Sequence, residues 1–142
     1  MIGKEKPAVI YWDASAILSA LLKDEHSQDT QKWANRSGYH FLSSLAYSEV
    51  VAVLSRIRRG GDMAEILVDA AMEVLETGPW RRLNVLPQWD RLKDLSEKWP
   101  LRGADLWHLS TAKGLQEQFP ELHLLTYDRQ LKTAALGEGL SF

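Results

Sequence analysis

The sequence predicts an α/β protein of three layers, in which helices cover both faces of a central parallel sheet of four or five strands. Two observations support this prediction. Short apolar runs alternate with longer stretches of helical periodicity, and two of the runs are almost continuously apolar, as in strands covered on both faces. The chain has 142 residues, 45% of them hydrophobic and 25% charged, so we expect one globular domain over residues 1–142.

The predicted strands are apolar runs that end at turn or capping residues. The first and fourth in the chain, Ala8–Trp12 and His123–Tyr127, are the most continuous. The others are Tyr39–Ser43, Arg82–Leu86 and a short final run, Gly139–Phe142.

Between these strands, apolar residues recur with the period of an α-helix. The predicted helices are Ala14–Lys23, Ser27–Arg36, Ser44–Arg59, Met63–Glu76, Gln88–Trp99, Ala104–Gln118 and Arg129–Leu136. Asp62 is a candidate N-cap for the fourth helix, and Gly137 follows the last one as a candidate C-terminal glycine.

The composition also limits the classes of function. The sequence has no cysteine, which excludes disulfides and thiolate metal sites and agrees with a cytoplasmic location. We expect no signal peptide behind Met1, and no run approaches the roughly 18 to 20 apolar residues of a membrane span. A net charge of −2 argues against broad binding to a phosphate backbone. The glycine patterns of dinucleotide-binding and P-loop proteins are absent.

Two acids follow the two most apolar strands. Asp13 comes directly after the first strand, and Thr126 and Asp128 come at the end of the fourth. Because parallel α/β sheets bind ligands at the carboxyl ends of their strands, we expect these side chains to lie at one edge of the sheet. Each aspartate also has a simpler interpretation as the N-cap of the helix that follows it.

Two further acids lie on apolar helix faces. Glu49 shares a face with small and branched apolar residues, and Asp105 lies in the first turn of its helix. A carboxylate in an apolar stripe costs free energy unless it is paired or bound to a cation. For Glu49 the alternative is an ion pair with Arg56 or Arg102, and for Asp105 it is a favourable interaction with the helix dipole.

A site made of four carboxylates would require compensating positive charge. A hard divalent cation supplies that charge, and oxygen ligands without cysteine or clustered histidine suit Mg²⁺ or Mn²⁺. The four candidate metal ligands are Asp13, Glu49, Asp105 and Asp128.

Four stretches, in this order, resemble one known family. They are VIYWDASAILSALL, SEVVAVLSR, LRGADLWHLSTA and LLTYDRQLKTAA. The chain from Val9 to Phe142 is similar to the PIN-domain ribonucleases, and among them to the VapC-type toxins of toxin–antitoxin pairs. The resemblance implies a PIN-like fold and a metal-dependent endoribonuclease that cleaves RNA phosphodiester bonds with Mg²⁺ or Mn²⁺.

The resemblance also implies roles for single residues and for partners. It makes the four acids the catalytic metal ligands, and it makes Ser15 and Thr126 the hydroxyl residues that orient the metal shell. It further implies an RNA substrate, a cognate antitoxin that holds the enzyme silent, and a homodimer. Two alternatives stay open: a PIN-fold nuclease of RNA processing, and a catalytically silent adaptor that binds RNA or protein.

Other acid-lined α/β enzymes fit less well. A haloacid-dehalogenase-like phosphatase needs a second aspartate two residues after the first, where this chain has Ser15. A flap-type nuclease is usually longer, because it carries a helical arch.

Basic residues and one histidine accompany the acids along their helices. Arg56, Arg58 and Arg59 follow Glu49, either as a basic rim that guides RNA phosphates or as an ordinary solvated helix end. His108 lies one turn after Asp105, and we expect it to be a hydrogen-bonded, partly buried histidine rather than a metal ligand.

Overall fold

A computed structural model describes residues 6–141 of the chain. Its sheet has four parallel strands in the order β3-β2-β1-β4. The strands are β1 (Ala8–Trp12), β2 (Gly38–Ser43), β3 (Trp80–Leu83) and β4 (His123–Leu125). The predicted α/β class with a parallel sheet is confirmed.

Seven helices over residues 6–141 complete the three layers. They are α1 (Ala14–Leu21), α2 (Ser27–Ala34), α3 (Ser44–Gly60), α4 (Glu65–Thr77), α5 (Trp89–Lys98), α6 (Gly103–Gln116) and α7 (Arg129–Gly137). Helices α1 to α4 pack on one face of the sheet and α5 to α7 on the other, each set around its own apolar cluster. Within the same residues, no helix has the length and apolar composition to cross a membrane.

Strand β1 lies at the centre of both clusters. Ile10 and Trp12 point into the cluster with α1, α3 and α4, while Val9 and Tyr11 point into the cluster with α5 to α7. This alternation is the period of two of an extended strand, and it explains why the run is apolar throughout.

One glycine permits the pairing of β1 with β2. Gly38 has a φ of +137°, and a Cβ atom built there would lie 2.0 Å from the carbonyl oxygen of Ala8. Only glycine adopts this conformation and leaves room for the neighbouring backbone. The amide of Ala8 donates to the Ser37 oxygen at 2.8 Å beside it, which starts the strand pair.

The strand order creates a topological switch point. The chain moves from β1 outward to β2 and β3, and β4 then returns to the other side of β1. In open parallel sheets, the crevice at the carboxyl ends of the two strands that flank such a point is the usual ligand site. Here those two strands are β1 and β4.

The third strand was predicted two residues too late. It covers Trp80–Leu83 rather than Arg82–Leu86, because Trp80 already pairs with His40 and packs edge-on against Trp12 at 5.4 Å. Leu86 has left the sheet and is 78% exposed.

Three other predictions at element ends are wrong. Gly137 is the last residue of α7 rather than the glycine that follows it, and Glu138 holds the C-cap position. No strand forms over residues 139–141, which make a turn around Gly139; Phe142 lies outside the described residues. Helix α4 starts at Glu65 rather than at residue 63, so Asp62 does not cap it, and Ala64 holds the N-cap position without a side-chain bond. The remaining boundaries agree with the predictions within one or two residues.

Candidate active site

Asp13 anchors the candidate site at the carboxyl end of β1. Its Oδ1 accepts hydrogen bonds from the Ser15 hydroxyl at 2.7 Å and from the Ala16 amide at 2.9 Å, and its Oδ2 accepts one from the Thr126 hydroxyl at 2.5 Å. The residue is only 4% exposed. Asp13 is therefore the N-cap of α1 and at the same time a buried carboxylate at the switch point.

The end of β4 supplies the opposite wall. Thr126 Oγ1 accepts the amide of Asp128 at 3.1 Å, and Asp128 Oδ1 caps α7 by accepting the Leu131 amide at 2.9 Å. The hydroxyl of Ser15 accepts the amide of Tyr127 at 3.0 Å. Ser15 and Thr126 thus lock the ends of the two strands together around Asp13.

Glu49 reaches the same edge from α3 and meets a histidine of α6. Its Oε1 lies 2.8 Å from His108 Nε2, and the phenol oxygen of Tyr11 lies 2.6 Å from His108 Nδ1. His108 is 1% exposed, as expected for a hydrogen-bonded buried histidine. The alternative partners of Glu49, Arg56 and Arg102, are wrong, because the group that meets its carboxylate is His108.

Burial and mutual repulsion shift the pKa values of two of the acids. Burial raises the pKa of Asp13, against the hydrogen bonds from Thr126 and Ser15 that lower it. Burial also raises the pKa of Asp105, and the negative charges of Asp128 and Asp13 raise it further. Glu49 adds a smaller contribution in the same direction. Asp105 therefore lies in the electrostatic field of the other three acids.

The phenol of Tyr11 belongs to the buried part of this arrangement. Burial raises the pKa of Tyr11, so its hydroxyl keeps its proton and can donate it. The link from Tyr11 through His108 to Glu49 was not foreseen from the sequence. A phenol in a fully buried strand, and a histidine one turn after Asp105, were the available signals.

The donor chemistry at this edge fits a hard divalent cation. Carboxylate and hydroxyl oxygens are the ligands that Mg²⁺ and Mn²⁺ prefer. Asp13 Oδ1 already accepts two hydrogen bonds, but Asp13 Oδ2 and the carboxylate of Asp128 keep lone pairs for a cation. The negative charges of Asp128, Asp13 and Glu49 each raise the pKa of Asp105, so a cation bound at this edge would relieve repulsion among the acids. Between residues 6 and 141, however, no three His, Asp or Glu side chains form a ready-made cage around one point.

The arginines of α3 differ in their surroundings. The guanidinium of Arg58 forms ion pairs with Glu65 at 3.1 Å and Asp69 at 2.6 Å, both on α4. At roughly 100° per residue, Arg56 falls on the same side of α3 as Glu49, about two turns away, whereas Arg58 falls on the opposite side. A role of these arginines toward RNA stays a prediction.

Comparison with known proteins finds one matching family and similar solved structures. The profile of the PIN domain family matches residues 10–136. A comparison with curated proteins finds no match. The solved structure of PAE2754 from Pyrobaculum aerophilum is similar, with a TM-score of 0.57 and 18% identity over 89% of this chain and 79% of that one. The VapC20 toxin of Mycobacterium tuberculosis, which cleaves the sarcin-ricin loop, has a TM-score of 0.54 and 17% identity over 88% of this chain and 94% of its own.

Proposed function

This chain belongs to the PIN domain family, whose members are generally nucleases, and we propose that it is an endoribonuclease that cleaves RNA phosphodiester bonds with Mg²⁺ or Mn²⁺. One observation carries the proposal. The negative charges of Asp128, Asp13 and Glu49 raise the pKa of Asp105 beyond the effect of burial, so the four carboxylates lie close enough to repel one another. Such an excess of negative charge is stabilised when a divalent cation binds.

Asp13, Glu49, Asp105 and Asp128 would hold the cation. When bound, a divalent ion of this kind activates water and stabilises charge that develops on the scissile phosphate. The chain's own contribution is to fix the acids. Ser15 and Thr126 orient the Asp13 carboxylate through one oxygen each, so that it needs no reorganisation when the substrate arrives.

We further propose that the enzyme is a toxin kept silent by a cognate antitoxin, that it forms a homodimer, and that it meets its RNA in the cytoplasm. The shared fold with the VapC20 toxin supports the first part. Exposed apolar side chains on α4 support a protein partner: Ile66 is 75% exposed, Leu67 56% and Val74 44%. A small neighbouring open reading frame that encodes a DNA-binding protein would support the toxin role over RNA processing.

A second candidate is a catalytically silent adaptor that binds RNA or protein. The observation in its favour is that residues 6–141 present no preformed cage of three metal-binding side chains. Calorimetric titration with Mg²⁺ and Mn²⁺ separates the two candidates, because an adaptor would take up neither ion at the acids.

The decisive experiment is Asp13→Asn, assayed for RNA cleavage in Mg²⁺. We expect at least a roughly 100-fold loss of rate, because the substitution removes a charged ligand from the centre of the site. The matched control is Asp94→Asn, which removes an exposed carboxylate on α5 and should leave the rate unchanged. Full cleavage by the Asp13→Asn protein would overturn the assignment.

The same substitution should not destabilise the protein. The pKa of Asp13 is raised in the folded state, so the ionised carboxylate is disfavoured there at neutral pH. Asparagine keeps an acceptor for the Ala16 amide and removes the buried charge, which offsets the loss of the acceptor for the Thr126 hydroxyl. An equal or higher melting temperature, with lost activity, would distinguish a functional carboxylate from a purely structural cap.

A further inference from the structure

Two acids of the site lie on opposite layers of the fold. Glu49 comes from α3 on one face of the sheet, and Asp105 comes from α6 on the other. The sheet does not fix their separation, because neither is on a strand. Among the residues that the structure describes, the one side-chain bond between these two helices joins His108 of α6 to Glu49 of α3 at 2.8 Å.

The direction of that bond follows from the chemistry of its partners. An ionised carboxylate only accepts, so the hydrogen between the two groups belongs to His108 Nε2. This holds for the neutral ring and for the charged ring alike. In the neutral ring Nδ1 is then a bare acceptor, and the Tyr11 hydroxyl at 2.6 Å is placed to donate to it.

The side chains of Tyr11, His108 and Glu49 form a hydrogen-bonded relay, and the fold holds the first two in place. Tyr11 is on β1, two residues before Asp13, and is fully buried. His108 follows Asp105 by one turn on the same side of α6, so its bond to Glu49 ties the turn of α6 that carries Asp105 to α3. The ring of Tyr11 packs edge-on against the imidazole, with ring centres 5.6 Å apart.

The relay uses only one oxygen of Glu49. His108 occupies Oε1, and within residues 6–141 no hydrogen bond reaches Oε2. The Glu49 side chain is 35% exposed, so the second oxygen remains accessible from the edge of the sheet. A metal-binding carboxylate is commonly oriented in this way, with one oxygen hydrogen-bonded to an outer partner and the other oxygen left for the metal.

We propose that His108 is a positioning residue which holds the Glu49 carboxylate at a fixed distance from Asp105, and that Tyr11 sets the orientation of its imidazole. The inference rests on the proposed metal-dependent function and deepens it. His108 itself would not touch the metal or the RNA.

The first test needs no metal. The full-length chain is labelled with ¹⁵N-histidine, and long-range ¹H–¹⁵N correlation spectra are recorded at pH 8. We expect His108 as the Nε2–H tautomer in the wild-type protein and also in Tyr11→Phe, where the Glu49 carboxylate still accepts from Nε2. In Tyr11→Phe the ring signals should broaden, because Nδ1 has lost the donor that orients the imidazole. A wild-type His108 that carries its hydrogen on Nδ1 would overturn the inference.

The second test measures Mn²⁺ binding by calorimetry. His108→Leu removes the donor and should weaken binding roughly 10- to 100-fold, whereas His108→Gln keeps an N–H donor and should stay within about threefold of wild type. The matched control is Ser110→Ala, which removes a buried hydroxyl of α6 that has no partner within the described residues and should leave binding unchanged. Circular dichroism verifies that each variant is folded.

These outcomes separate the inference from the proposed function. If the wild-type chain binds Mn²⁺ but cleaves no RNA, the proposed function fails. The Mn²⁺ affinities of the His108 variants relative to wild type still decide the inference. If wild type cleaves RNA and a folded His108→Leu protein binds Mn²⁺ equally well, the inference alone fails. If wild type binds no Mn²⁺, the proposed function fails and the tautomer measurement decides.

Discussion

Thr126 donates its hydroxyl hydrogen to Asp13 Oδ2 at 2.5 Å, and so it joins the carboxyl end of β4 to that of β1. The same hydroxyl accepts the amide of Asp128 at 3.1 Å. Two of the four acids are therefore held by a single side chain that is only 3% exposed.

We predict that Thr126→Val destabilises the protein and impairs cleavage together. The substitution keeps the shape but leaves Asp13 Oδ2 and the Asp128 amide without their partner, which costs about 1–3 kcal/mol of unfolding free energy. Urea denaturation measures this cost, and RNA cleavage should fall roughly 10- to 100-fold.

The Thr126→Val experiment has two control variants. Thr126→Ser keeps the hydroxyl and should remain near wild type in both measurements. Thr133→Val removes a hydroxyl that bonds only to the Arg129 carbonyl on the exposed face of α7, and it should leave cleavage intact. A stable, fully active Thr126→Val protein would contradict the role given to this residue.

A buried histidine should make the protein sensitive to acid. Burial, and then the charges of Lys132 and Arg36, lower the pKa of His123 to about 4. The unfolded chain protonates this residue near pH 6.5, whereas the folded chain does so only near pH 4. Stability is therefore lost as the pH falls through this window, by up to about 3 kcal/mol.

The contribution of His123 is isolated by comparison with His123→Gln. Urea unfolding at pH 7.5, 6 and 4.5 should show a wild-type loss that the variant lacks. Asp13 and Asp105 act in the opposite direction, because their raised pKa values favour the folded state as the pH falls. Both proteins share that effect, so it cancels in the difference. Parallel pH profiles would contradict the prediction.

The arginines of α3 should contribute unequally to RNA binding. Arg56 lies on the same side of the helix as Glu49, whereas Arg58 is paired with two acids of α4. We predict that Arg56→Ala raises the KM for RNA several-fold at low salt and less at high salt, since phosphate contacts are screened. Arg58→Ala should change the KM less. The reverse order would show that RNA approaches from the α4 side.

Gly38 should tolerate no side chain. Gly38→Ala places a Cβ atom 2.0 Å from the Ala8 oxygen, at a φ of +137°. We predict a loss of at least about 2 kcal/mol in unfolding free energy, measured with urea. The matched substitution is Gly103→Ala at the start of α6, where a Cβ meets no atom within 4 Å, and it should be neutral or slightly stabilising.

The sequence predicts the limits of the central strand β1 correctly and those of the edge strand β3 poorly, for one physical reason. Ala8–Trp12 is buried on both faces, so its own residues determine its limits. The limits of β3 depend instead on what lies beside it, because Trp80 joins the sheet through β2 and through contact with Trp12. Local periodicity contains no information about such a neighbour.

In the candidate site, too, the sequence indicates the local features and misses the long-range ones. Strand ends and helix faces are local properties, so the four acids could be named from the sequence. The partner of Glu49 could not, because His108 is 59 residues away in the chain and the two helices meet only across the finished sheet. For the same reason Arg56 and Arg102 were reasonable partners for Glu49 and are nevertheless wrong.

Both edges of the sheet are protected, and this limits how the chain can assemble. Strand β3 is four residues long, and its Arg81 and Arg82 lie over the rings of Tyr39 and Tyr47. On the far edge, the amide of Leu124 already donates to the Leu140 oxygen at 2.6 Å. Short, charged or covered edges discourage a foreign strand from adding to a sheet. We therefore expect a second copy or an inhibitory peptide to dock on helices, and aggregation through sheet extension to be suppressed.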